Sequence, residues 1–165
     1  MPIPPYVAGL RARVGTDMLW LPGVTAVVHD DDGRVLLDQR ADSGLWALIS
    51  GILDPGEEPA VGIAREVLEE TGVEIVVDAL AAVSTTTPVT YANGDRATYL
   101  DVLFVAHPVS PAAAAAAAVG DDESLDVGWF APDALPDGLL PSTSARLELA
   151  RRFLADPHRG ALFVR

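Results

Sequence analysis

Three glutamates, Glu66, Glu69 and Glu70, and one arginine, Arg65, crowd into a single stretch, Pro59 to Thr71, that reads as a helix. At about 100° per residue, Glu66 and Glu70 stand one turn apart with Glu69 projecting between them. Like charges at that spacing destabilise a helix by a few tenths of a kcal/mol per pair, so an offsetting cation is expected. Clustered carboxylate oxygens are hard ligands that suit Mg2+ or Mn2+, ions that keep several waters and bridge to substrate phosphates. A lone pair of glutamates on a helix is usually no more than a solvated face, and the setting distinguishes this one. A further glutamate, Glu57, and two glycines, Gly51 and Gly72, frame the group at fixed intervals.

From Gly51 to Val73, the stretch GILDPGEEPAVGIAREVLEETGV follows the pattern G-x5-E-x7-R-E-U-x-E-E-x-G-U, with U apolar, at every defined position. With Gly and Glu each at roughly 7 per cent of residues, seven fixed matches arise by chance about once in 10^8 windows. The stretch resembles the Nudix box. The resemblance is strongest over residues 24–137 and implies the Nudix fold, an α/β domain with a mixed β-sheet sandwiched between α-helices. It also implies hydrolysis of a nucleoside diphosphate linked to another moiety. In that reaction water attacks phosphorus while Mg2+ or Mn2+ neutralises the oxyanions. The local reading agrees, since phosphoryl chemistry is largely positioning and charge stabilisation.

Carried over position by position, Glu66, Glu69 and Glu70 match the family's metal ligands. Glu57 matches the box glutamate that supports the site, and Arg65 the arginine that orients a glutamate by a bidentate pair. Gly51 matches the glycine at the strand end, near which a backbone carbonyl reaches the metal. Ser50 stands where many relatives carry another glycine and is the candidate for that carbonyl. Relatives often add an acid from the loop before the last strand. GDDESLDVGWF offers Asp121, Asp122, Glu123 and Asp126 there, and Glu123 is preferred as metal ligand or general base. Substrate cues diverge: Pro88 matches a downstream proline of ADP-ribose hydrolases, and Tyr91 a tyrosine of dinucleoside polyphosphate hydrolases. ADP-ribose or a similar nucleotide sugar is favoured. The alternatives are a nucleoside triphosphate-sanitising hydrolase, a dinucleoside polyphosphate hydrolase and a non-catalytic nucleotide-binding module.

The elements that must position these residues follow from pattern. Apolar, β-branched GVTAVVHD (23–30), the turn cluster Asp30 to Gly33 and RVLLDQR (34–40) predict a hairpin. LWALIS (45–50) predicts one short strand ending at Gly51. Pro59 suits the first helical position and Gly72 the residue past the helix end. Ala60, Val61, Ala64, Val67, Leu68 and Thr71 are expected on its packed side. Strands are expected over 73–87, over 97–106 behind an Asn-Gly turn, and from residue 125. The alanines at 112–118 predict a loop or a marginal helical turn, since so short a run cannot hold a helix unaided. STSARLELARRFLAD (142–156) predicts an amphipathic helix with Leu147, Ala150, Phe153 and Leu154 on its apolar side.

At 165 residues, half of them hydrophobic, the chain suits one globular unit, read as an N-terminal arm, 1–22, and a Nudix domain, 23–165. Its 24 acidic residues against 11 arginines argue against nucleic acid as a partner, because phosphate contacts are cationic. A small nucleotide remains compatible if metal ions lie between. No run approaches the roughly 18 apolar residues of a membrane span, and the first residues lack the charged-then-apolar order of a secretory signal. Cysteine is absent, which excludes a disulfide framework and thiolate chemistry. A cytoplasmic location is therefore expected. The arm carries Ile3, Tyr6, Val7, Leu10, Val14, Met18, Leu19 and Trp20, an apolar surface that predicts a homodimer unless it is buried.

Overall fold

The structure is a computed structural model and describes residues 4–164. Its centre is a pair of long strands made of β-branched and apolar residues. β1 (Leu19–Val28) and β7 (Arg96–Pro108) pair in parallel, from Leu19 opposite Ala97 to Val28 opposite Ala106. β7 also pairs antiparallel with β5 (Ile75–Thr85) and with the short β6 (Val89–Thr90). β1 pairs with β4 (Ser50–Ile52), and β5 with β9 (Leu162–Phe163), which completes a mixed six-stranded sheet. A second sheet of three strands has β2 (Val35–Arg40) between β3 (Trp46–Ala47) and β8 (Ser124–Phe130). α2 (Pro59–Thr71) packs Ile63 and Val67 against Val24, Ala26 and Val28 on one face of the large sheet. α4 (Pro141–Ala155) packs Ala150 and Phe153 against Val27, Leu103 and Val105 on the other. This is an α/β fold with a mixed sheet between helices. Among the described residues, no helix is long and apolar enough to cross a membrane.

Several elements depart from the pattern-based reading. β2 does not return beside β1; a single bridge, His29 to Val35, joins them. Val35, Leu36 and Leu37 are all buried, so β2 needs cover on both faces and finds it as the middle strand of the small sheet. LWALIS is two strands. Trp46 and Ala47 join the small sheet and Ser50 joins the large one, while Leu48 enters the core under α4 and Ile49 the core under α2. In α4, Leu147, Ala150 and Phe153 pack as expected, whereas Leu154 is exposed.

β1 begins at Leu19, so the last arm residues belong to the sheet. Ahead of it, α1 (Pro5–Val14) buries Val7 against Leu21 and Ala97. Arg11 fastens that helix by donating to the carbonyls of Gly15, Asp17 and Arg96. Tyr6, Val14, Met18 and Trp20 remain exposed, and Ile3 lies outside the described residues. The alanine run starts with the short helix α3 (Pro111–Ala115), capped where Ser110 Oγ accepts from the Ala113 N–H at 3.1 Å.

A buried polar contact ties the two central strands to α4. Thr25 Oγ1 donates to Asp101 Oδ1 at 2.9 Å, and Arg146 Nε donates to Asp101 Oδ2 at 2.8 Å. Asp101 is 4% exposed, so these donors take the place of water around its carboxylate. Arg146→Ala is expected to strand that carboxylate and to destabilise the protein by about 3–5 kcal/mol in denaturant titration. Adding Asp101→Asn removes the stranded charge, keeps an acceptor for Thr25, and is expected to recover part of the loss.

Candidate active site

α2 carries the acidic group and has clear ends. Pro59 opens it, where a missing N–H costs nothing. Gly72 closes it with φ 68°, a left-handed conformation that glycine adopts without strain, and its N–H bonds to the Leu68 carbonyl. Arg65 sits at the middle of the carboxylates. Its Nε and Nη2 donate to the two oxygens of Glu57 at 2.9 and 3.0 Å, and its Nη1 lies 3.0 Å from Glu69 Oε2 and 3.1 Å from Glu66 Oε1. One guanidinium thus orients Glu57 and also offsets the charge of Glu66 and Glu69.

Two glycines permit close approaches. A Cβ on Gly51 would lie 2.1 Å from the Glu66 carboxyl carbon, so the carboxylate rests against the backbone of β4, next to Ser50. A Cβ on Gly62 would lie 2.4 Å from Leu53 and 2.9 Å from Glu57 Oε2, so Gly62 admits the loop that brings Glu57 onto the helix. Gly62 is a positioning residue that the sequence pattern did not single out. Its signal was a glycine inside a helix, where it normally weakens the element.

The helix is rotated from its expected phase. Ile63, Val67, Glu70 and Thr71 are buried, whereas Val61 and Leu68 are 62% and 49% exposed. Glu70 therefore continues the buried stripe, and the three carboxylates do not form one outward fan. Glu69 is exposed and Glu66 half-buried. Glu70 instead lies within electrostatic reach of Asp38 and Arg40, both on β2. Sequence reasoning missed this pair; its trace was an acid, Asp38, directly following the buried Leu36 and Leu37. Arg40 is held by Asp42 through bonds of 3.1 and 2.8 Å. The Ala41 N–H donates to the Glu123 carbonyl at 2.7 Å, and the Glu123 N–H to Asp121 Oδ1 at 2.9 Å, which brings the acidic loop beside β2. Asp126 lies on β8 and is exposed. Pro88 and Tyr91 flank β6, and the Tyr91 hydroxyl pairs with that of Tyr99. Among the described residues, no three acidic or histidine side chains close around a common point as a finished metal shell; Arg65 draws Glu57, Glu66 and Glu69 to itself.

The NUDIX domain family matches residues 19–153. The chain belongs to the Nudix family. It is similar to a MutT-like protein of Streptomyces ambofaciens, 35% identical over 124 residues that cover 75% of this chain and 72% of that one. A putative 8-oxo-dGTP diphosphatase of Bacillus subtilis (strain 168) is 36% identical over 61 residues, 37% of this chain and 41% of the relative. Among solved structures, a MutT NUDIX hydrolase from Burkholderia pseudomallei is 30% identical with TM-score 0.63, covering 79% of this chain and 98% of that one. An ADP-ribose pyrophosphatase from Streptococcus suis, 20% identical with TM-score 0.64 over 87% of this chain and 98% of that one, shares the fold. As a Nudix hydrolase the protein acts on phosphorus-containing anhydrides.

Nudix hydrolases generally use divalent metal ions, and the donor set fits one. Its atoms are hard oxygens, and its most buried member is poor in compensating charge. Burial, and then the negative charges of Asp38 and Glu66, push the Glu70 carboxyl up to about 9, with Arg40 opposing. Burial also pushes Asp38 up to about 6 and raises Glu66 and Glu123. Glu57 moves the other way, held low by its hydrogen bonds from Arg65. A cation near Glu70 favours its charged form.

A carboxyl whose folded pKa lies above its unfolded value stabilises the fold fully below the unfolded value, and this is lost as pH rises through the folded one. For Glu70 the window runs from its ordinary 4.5 to about 9, and Asp38 adds to its lower part. In chelator, the Tm of this Nudix protein is expected to fall steadily across that window by scanning calorimetry. Glu70→Gln is expected to flatten the fall, and saturating Mg2+ to flatten it in the wild type. A slope that Glu70→Gln leaves unchanged contradicts the assignment.

Proposed function

We propose that this Nudix enzyme is a Mg2+- or Mn2+-dependent pyrophosphohydrolase that cleaves the diphosphate linkage of a nucleoside diphosphate derivative, with ADP-ribose or a similar nucleotide sugar foremost, in the cytoplasm. The observation that carries the reading is the meeting of Glu66 with the backbone at Gly51, beside the buried Glu70. In this reading Glu66, Glu69 and Glu70 hold the ions together with a backbone carbonyl at Ser50 or Gly51. Bound ions supply neutralisation of the phosphate oxygens and polarise the anhydride. Arg65 orients Glu57 and Glu69, and Glu57 braces the loop on the helix. Glu123, whose carboxyl burial raises above its ordinary value and which stands in the loop beside β2, takes the proton of the attacking water. The water oxygen bonds to phosphorus as the bridging P–O bond breaks, giving two monophosphates.

Pro88 supports the nucleotide-sugar choice. The name of the B. subtilis relative supports a second reading, a triphosphate-sanitising hydrolase, over little more than a third of the chain. Products separate the two, because the second releases pyrophosphate.

A panel of nucleotide sugars, dinucleotides and triphosphates with about 5–10 mM Mg2+ is expected to give turnover, with two monophosphates from ADP-ribose by chromatography. Glu69→Gln is expected to lower kcat by at least about 100-fold, the upper end for loss of an outer-shell partner. Inactivity across the whole panel refutes the reading. The exposed Tyr6, Met18 and Trp20 support a homodimer. Light scattering is expected at twice the chain mass, and a chain that stays monomeric when concentrated overturns that part.

A further inference from the structure

The alanine-rich strap that joins β7 to the acidic loop is not explained by the Nudix box or by the chemistry proposed above. It leaves β7 at Pro108, forms α3, and runs on to Asp121. Backbone bonds fasten it to the end of α2. The Ala118 N–H donates to the Thr71 carbonyl at 3.0 Å, and the Gly120 N–H donates to the Glu70 carbonyl at 2.9 Å. These are carbonyls of the last turn, which have no partner within a helix. The strap is also held from the side, where Trp129 Nε1 donates to the Ala114 carbonyl at 2.9 Å and Ala117 packs on the core beneath α2.

The approach is closest at Gly120. A Cβ there would lie 2.0 Å from the Glu69 carbonyl oxygen, 3.0 Å from its carbon and 3.1 Å from the Glu70 carbonyl carbon. The obstructing atoms are backbone and cannot swing aside. Gly120 is not among the glycines with positive φ, so the demand for glycine here is steric. Any side chain must lift the strap from the helix. The acidic loop begins at the very next residue, Asp121, and its far end is tied to Ala41 by the Glu123 carbonyl. Asp121 is near enough for its charge to act on Glu70, and Glu123 near enough to act on Glu66.

We propose that Gly120 is a positioning residue of this hydrolase: its backbone contact with the carbonyls of Glu69 and Glu70 sets the separation between the 121–123 loop and the α2 carboxylates, and so the affinity of the site for a divalent ion. This rests on the proposed function only for the identity of the carboxylates that meet the ion.

The test compares Gly120→Ala with Val119→Ala, an exposed neighbour on the same strap. Mn2+ uptake by the substrate-free full chain is measured by paramagnetic resonance titration, with far-UV circular dichroism reporting the fold. Gly120→Ala is expected to weaken Mn2+ binding by about tenfold or more, as loss of an outer-shell support does, while Val119→Ala leaves it within about twofold. With whichever nucleotide the panel identifies, kcat is expected to fall by about tenfold with KM little changed, the mark of a loss confined to the transition state. A folded Gly120→Ala protein with lowered Tm and unchanged Mn2+ affinity shows a merely structural glycine and overturns the proposal. A wild type that takes up no Mn2+ overturns it as well. If Gly120→Ala does not fold, amide hydrogen exchange in the wild type decides. Protection at Ala118 and Gly120 comparable with the α2 amides supports the docked strap, and exchange at free-loop rates refutes it. If the wild type turns over nothing on the panel, the substrate reading fails, while Mn2+ affinity and exchange still decide the role of Gly120.

Discussion

One guanidinium makes the acidic helix tenable. Arg65 spans from Glu57, in the loop before α2, to Glu66 and Glu69 on α2 itself, so three carboxylates share one partner. Removed from that contact, Glu66 and Glu69 would repel one another along a single turn, with Glu57 a third like charge beside them. The pairing also has a geometric effect, because the bidentate bond to Glu57 folds the 53–57 loop onto the helix, where Gly62 leaves it room. Glu70 is left outside this arrangement. It looks toward Asp38 and Arg40, and Arg40 is already engaged by Asp42. The site is thus divided into acids that an arginine satisfies and one buried acid that it does not. A divalent ion would answer the second kind of demand.

The box was legible because the chemistry constrains residue type and interval together, and both survive in one continuous stretch. The α/β class was legible for a related reason, since long β-branched runs and two amphipathic helices leave few architectures. The surroundings of the box were not legible. Asp38 and Arg40 come near Glu70 from β2, a strand held in the small sheet by β8, a contact between segments far apart in sequence. The helix phase was misread because hydrophobicity assigned Val61 and Leu68 to the packed side. The packed side instead holds Gly62, where Leu53 and Glu57 approach closely, and Glu70, which is buried. The alanine run could not be read locally at all. Its short helix is marginal alone, and the contacts that hold the strap come from Thr71, Glu70 and Trp129.

A short segment helps lock the two sheets to each other. Trp46 and Ala47 belong to one, Ser50 and Gly51 to the other, and Leu48 and Ile49 between them enter opposite cores. Gly51, on which Glu66 rests, therefore stands at the end of a segment anchored on both sides. Glu66 rests against backbone held in this way, and the acidic loop is tied to the neighbouring β2–β3 connection by the bond from Ala41 to Glu123.

The parallel pairing of β1 with β7 also governs how the chain reaches this state. Leu19 must wait for Ala97, and Val28 for Ala106, so one edge of β1 stands open through the synthesis of the box and of β5. That edge borders the apolar run Val24 to Val28, and such an unpaired strand is a template for joining another chain. Non-local parallel pairing is slow to form, which lengthens the exposure. The net charge of −13, already present in good part along the acidic first half of the chain, keeps unfinished copies apart by mutual repulsion until β7 arrives to close the edge.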